Sequence, residues 1–71
     1  MDRQQIESTS IRSVGYEPQN ATLEIEFLHG GIYRYFGVPP LVYEQLMTAE
    51  SKGAGFHEFI RSGGYKCSRI A

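Results

Sequence analysis

At 71 residues, 41% of them hydrophobic and 21% charged, the chain has the make-up of one small soluble globular domain. A net charge of −1 argues against a strongly basic nucleic-acid binder, no apolar run approaches the roughly 18 residues of a membrane span, and a single cysteine, Cys67, rules out an internal disulfide. The opening Met1-Asp2-Arg3-Gln4-Gln5 lacks the apolar stretch of a secretory signal, so the expected location is the reducing cytoplasm.

Residues 1–9 are polar and aperiodic and are expected to form a flexible N-terminal arm, leaving 10–71 as the single folded domain. Ile11 to Tyr16, rich in β-branched and aromatic residues, predicts a first strand, which Glu17-Pro18-Gln19-Asn20 ends with turn chemistry. In Thr22-Leu23-Glu24-Ile25-Glu26-Phe27 the apolar residues alternate with glutamates, the pattern of a half-buried antiparallel strand. Gly30-Gly31 supplies the positive φ of a tight hairpin, and Ile32 to Val38 predicts the third strand.

Val38-Pro39-Pro40 stops that strand and starts a helix over about 40–50. Leu41 or Val42, with Tyr43, Leu46, Met47 and Ala49, would form its apolar stripe. Ser51-Lys52-Gly53 breaks it. A second short helix, about 53–61, places Phe56, Phe59 and Ile60 on one side and ends at Gly63-Gly64. Tyr65 to Ala71 is a tail, either extended against the sheet or loose. The expected architecture is α+β: a three-stranded antiparallel β-meander followed by two short α-helices packed on one face.

The order Ser10-Ile11, Val14-Gly15-Tyr16, Leu23-Glu24-Ile25-Glu26-Phe27, Gly31-Ile32-Tyr33-Arg34-Tyr35-Phe36-Gly37-Val38-Pro39, Ser51-Lys52-Gly53, Phe56, Ile60-Arg61 and Tyr65 resembles the KTSC domain. That family is a small bacterial module, found at the C-terminus of some lysyl-tRNA synthetases and also standing alone, as this sequence looks. The resemblance spans roughly residues 8–70, and its hallmark Tyr-x-Tyr is matched by Tyr33-Arg34-Tyr35. What it implies about function is RNA binding, by association with the synthetase.

No catalytic constellation is expected. His29 and His57 have no metal-ligand spacing and read as surface residues, and Cys67 reads as a small filler near the tail. Glu24 and Glu26 read as the solvated face of a strand. No cofactor and no metal are implied, and a monomer is favoured.

Charge is uneven along the chain. Residues 1–50 carry seven acids against Arg3, Arg12 and Arg34, whereas residues 51–71 carry Lys52, Arg61, Lys66 and Arg69 against Glu58 alone. That asymmetry points to an anionic partner for the C-terminal third. The start of the second helix, with Ser51 and Gly53 beside Lys52, offers a weaker phosphate contact, although Ser51 is equally a helix cap.

The aromatic strand leaves two arrangements open. In one, Ile32, Phe36 and Val38 are core, Tyr33 and Tyr35 point outward, and Arg34 must be paired or escape at an edge. In the other, the tyrosines lie under the helices with Arg34 and Phe36 outside. Apolar area favours the first, and with it a stacking platform for unpaired bases. The expected function is a small non-catalytic binding module for RNA. Tyr33 and Tyr35 would stack bases, and Arg34, Lys52, Arg61, Lys66 and Arg69 would contact phosphates. The alternative is a protein–protein interaction module using the same aromatic surface or an open sheet edge.

Overall fold

The computed structural model describes residues 2–71. The fold is α+β, but the antiparallel sheet has five strands rather than three: β1 (Arg3–Gln5), β2 (Ile11–Glu17), β3 (Thr22–Phe27), β4 (Ile32–Phe36) and β5 (Lys66–Arg69), in spatial order β1-β2-β3-β4-β5. Helix α1 (Pro40–Thr48) and helix α2 (Lys52–Gly55) lie between β4 and β5. The second helix runs past α2 without a break, first as a π-helical turn (Phe56–Ile60) and then as a 3₁₀ turn (Arg61–Gly63). Among the described residues, no helix is long and apolar enough to cross a membrane.

Both unexpected strands are edge strands, and apart from Arg3 their side chains do little of the holding. Arg3–Gln5, read from sequence as part of the arm, pairs with Gly15, Val14 and Ser13 of β2. Lys66–Arg69 pairs with Phe36 to Tyr33 of β4, so the tail is extended against the sheet. All seven of these residues are exposed. Backbone ladders, which leave no mark in a hydrophobic pattern, hold them.

The core is a single cluster between the sheet and the helices. Ile11 and Val14 of β2, Leu23 and Ile25 of β3, Val38, Leu46 of α1, and Phe56 and Ile60 of the π turn are buried. Pro40 fills the first turn of α1, where a missing N–H is harmless, and Leu46 is its deepest residue. Val42, Tyr43 and Met47 pack beside it, while Leu41 points away into solvent. The ring of Tyr43 stacks on that of Tyr16 at 4.5 Å, fixing α1 to β2. The Tyr16 hydroxyl donates to the Val38 carbonyl at 2.6 Å. Gly55 lets the two helices touch: a Cβ there would lie 2.9 Å from the Ala49 Cβ.

Register decides the orientation of β4, against the expectation from apolar area. Leu23 faces Tyr35, Ile25 faces Tyr33, and Glu24 faces Arg34 across the β3–β4 ladder. Residues directly opposite share a face. With Leu23 and Ile25 wholly buried, Tyr33 and Tyr35 go to the helix side, while Ile32, Arg34 and Phe36 go to the other. Phe36 is 43% exposed.

The reason is a cross-strand ion pair. Arg34 Nε donates to Glu24 Oε1 at 2.9 Å, and Arg3 bonds the other carboxylate oxygen. Arg3 Nε also donates to the Ser13 hydroxyl at 3.1 Å, which in turn donates to Glu26 at 2.9 Å. Turning β4 over would bury a guanidinium and strip Glu24 of a partner, a larger cost than leaving one phenylalanine half in water. Burial pushes the Glu24 carboxyl up, but the hydrogen bonds and charges of Arg34 and Arg3 outweigh it and hold the group below its usual range.

Candidate functional site

The inward tyrosines do not simply vanish into the core. They form one wall of an open cleft of about 490 Å³ between the sheet and the second helix. Alternation along β4 places Tyr33 and Tyr35 there, and β5 continues the wall with Cys67, in register with Tyr35. The β3–β4 hairpin adds Phe27 and His29. The facing wall is Phe56, His57, Ile60 and Arg61, closed by Tyr65.

Edge-to-face contacts link these rings. Tyr33 meets Phe27 at 5.7 Å, Phe27 meets Phe56 at 5.3 Å, and Phe56 meets Tyr35 at 5.6 Å. Each pair is worth roughly 0.5–1.5 kcal/mol beyond burial, so the walls are fixed rather than adaptable. His29 packs on Phe27 and His57 on Phe56.

Two glycines make room for the outer rings. A Cβ on Gly31, whose φ is +93°, would lie 2.9 Å from Tyr33 Cε1. One on Gly63 would lie 2.5 Å from Tyr65 Cε2.

The cleft is polar in a one-sided way. Its lining holds Arg61 and two imidazoles and no carboxylate. The Arg69 guanidinium stands 5.8 Å from the centroid of the Tyr33 ring, within cation–π range at the mouth. Burial pushes the Tyr35 phenol up to about 12, with nearby Cys67 and Tyr33 adding to the rise and Arg61 opposing it. At neutral pH that hydroxyl keeps its proton and is available as a donor.

The residues singled out from sequence therefore separate. Tyr33, Tyr35 and Arg61 meet in the cleft, and Arg69 stands at its mouth. Arg34 lies on the opposite sheet face, and Lys66 takes the same side through its register with Phe36. Lys52 Nζ donates to the Ala49 carbonyl at 2.5 Å, just past the C-terminus of α1. Ser51 caps α2, its hydroxyl accepting from the Ala54 N–H at 3.2 Å. Gly53 lines the cleft floor, where a Cβ would lie 2.6 Å from the Ser10 hydroxyl.

His29 and His57 are exposed, as surface residues should be, yet both border the cleft together with Phe27, Phe56, Tyr65 and Cys67. The glycine pair ahead of Tyr65 is the signal that points to that ring, and the register of Cys67 with Tyr35, once β5 is paired, is the one that points to the thiol. Among the described residues, no group of three histidine, cysteine or acidic side chains is placed to hold a metal ion. A second, shallower groove between the helices carries Glu50 and Glu58, so its charge is opposite.

The family model for the KTSC domain matches residues 7–65. An uncharacterised protein of Stutzerimonas stutzeri (strain A1501) is 41% identical over 70 residues, covering 99% of both chains. A lysine–tRNA ligase of Nostoc sp. (strain PCC 7120) is 45% identical over 65 residues, which are 92% of this chain but 11% of the ligase. The crystal structure of a KTSC domain protein from Yersinia pestis superposes with a TM-score of 0.93 at 41% identity, over 99% of this chain and 97% of that one.

Proposed function

The chain belongs to the KTSC domain family, and within it we propose that this protein is a small non-catalytic binding module whose ligand is RNA, single-stranded or folded with unpaired residues. The observation that carries this reading is the cleft: aromatic rings on both walls, an arginine inside, a second at the mouth, and no carboxylate in the lining. Rings receive a base and arginines a phosphate, and the absence of lining acids favours an anion over a cation. That a similar 65-residue segment lies within a lysine–tRNA ligase agrees with such a role. The working location is the cytoplasm, where an exposed thiol such as Cys67 stays reduced.

The stacking residues are Tyr33 and Tyr35, as expected from sequence, but from inside a cleft instead of on an open platform. Arg61 and Arg69 are the first phosphate contacts. Lys52, Ser51 and Gly53 border the same helix start, whereas Arg34 and Lys66 would reach only a strand that wraps to the opposite face.

A protein partner is the second reading. It is favoured by Phe36 and Leu41, exposed near Pro39 and Pro40, and by two open sheet edges.

Titrating isotope-labelled protein with a mixed pool of single-stranded RNA separates the two. The expected result is shifts at Tyr33, Tyr35, Arg61 and Arg69 at low salt that fade at high salt. No movement at low salt would sink the RNA reading.

A further inference from the structure

We propose that the cleft is a single-nucleotide pocket: it takes one unstacked base, extruded from a fold, and holds the two phosphates that flank that nucleotide, one on Arg61 and one on Arg69. This rests on the RNA reading above and narrows its ligand. Three observations carry it.

The first is the disposition of the rings. A platform for a run of bases presents rings side by side on an open face. Here Phe56 closes on Tyr35 and Phe27 edge to face, and the open space beside that contact is bordered by Tyr33, His57 and Tyr65. A planar ligand seated in that space is bordered by side chains of both walls, and the next base of a strand lies outside the cleft.

The second is size. About 490 Å³ lies within the roughly 300–1,000 Å³ of pockets that enclose one small molecule. A base with its ribose fits that range, and a stacked dinucleotide would leave its second base in solvent.

The third is the π turn. In an α-helix, five residues advance about 500°, which puts them roughly 140° apart around the axis. Arg61 would then point away from Phe56. Instead the Arg61 N–H is shared between the carbonyls of His57 and Phe56, so the turn is widened by one residue. A π-turn brings residues five apart into one row, and Phe56 and Arg61 line the cleft together. Such widened turns are less favourable than α and recur at functional sites. This one delivers a cation to the aromatic wall.

The test uses the full chain and four probes: adenosine 5′-monophosphate, an RNA hairpin with one bulged adenosine, the same hairpin fully paired, and the same hairpin with an abasic ribose at the bulge. The bulged hairpin is expected to bind at least tenfold more tightly than the paired and abasic hairpins. Adenosine 5′-monophosphate should compete with it and shift Tyr33, Tyr35, His57 and Tyr65. Arg61→Gln, at an exposed position where the fold does not depend on the side chain, should weaken the bulged hairpin at least tenfold with an unchanged circular dichroism spectrum. Equal binding of the bulged, paired and abasic hairpins would overturn the single-nucleotide pocket while leaving RNA binding standing. Failure of every hairpin to bind, at low salt, would overturn both.

Discussion

Glu24 is the residue on which the two faces of the sheet depend. It sits mid-strand and only 3% exposed, on the side no helix covers, and what keeps it ionised is a pair of arginines from β1 and β4. Removing the charge leaves both guanidiniums without their acceptor. Because the arginines still reach water, Glu24→Gln should cost about 1–3 kcal/mol at pH 7, below the usual loss for a fully buried pair. The sign of its pH dependence follows from the lowered carboxyl: its contribution is present above the ordinary carboxylate range near 4.5 and is lost as pH falls through the lower folded value. Urea melts of both proteins should therefore differ at pH 7, and the gap should close as the pH falls below 4.5 and through the lower folded value. A gap that persists undiminished in acid would show that shape, not charge, is what the substitution removes. Gly63 makes the matching case on the other face. Gly63→Ala must push the Tyr65 ring aside, since nothing but a shift resolves a 2.5 Å approach. The expected outcome is a weakened cleft ligand with little change in melting temperature, read by titration and calorimetry on the same sample.

At the scale of elements, β2, β3 and α1 were legible because each buries an alternating or helical apolar set, and burial is what periodicity records, whereas β4, which buries no residue fully, was legible from its β-branched and aromatic content between a glycine turn and a proline stop. Strands β1 and β5 were not. Arg3-Gln4-Gln5 and Lys66-Cys67-Ser68-Arg69 bury almost nothing, and their pairing is written in the backbone. The site was half legible for the same reason. Tyr33 and Tyr35 stood out as a pair, but their face depended on the register of β3 against β4, and the residue that fixes it, Arg34, read as a difficulty instead of as the partner of Glu24. Arg61 could not be placed while its helix was counted at 3.6 residues per turn. The strand character of β1 has a direct consequence. A chain shortened to begin at Ile6 should lose roughly 1–3 kcal/mol, because Arg3 takes its bonds to Ser13 and Glu24 with it. Hydrogen exchange should speed at the β2 amides facing β1. If residues 2–5 were only a loose arm, neither stability nor exchange would change.

At the scale of the whole molecule, folding rearranges a charge pattern that the linear sequence shows only as an acidic front and a basic end. Arg3, Arg12 and Arg34 are carried onto the uncovered sheet face, where Glu24 and Glu26 meet them. Lys52 turns back on the Ala49 carbonyl. Of seven lysines and arginines, that leaves Arg61 in the cleft, Arg69 at its mouth, where its Nε donates to the Ala71 carbonyl at 2.8 Å and its terminal N–H groups face outward from that bond, and Lys66 on the far side. A ligand in the cleft should therefore neutralise about two phosphates, not seven. For single-stranded nucleic acid each phosphate contributes a slope of about −0.7 to the logarithmic salt dependence, so the expected slope is about −1.4 and affinity should fall about sevenfold between 50 and 200 mM salt. Arg61→Gln should flatten the slope by about 0.7, while Lys66→Ala should leave it unchanged. The measurement is a salt series of RNA titrations on the three proteins. A slope steeper than about −3 for the unaltered chain, or an equal flattening by Lys66→Ala, would mean that the strand crosses both faces and that the cleft is not where most of the phosphate is held.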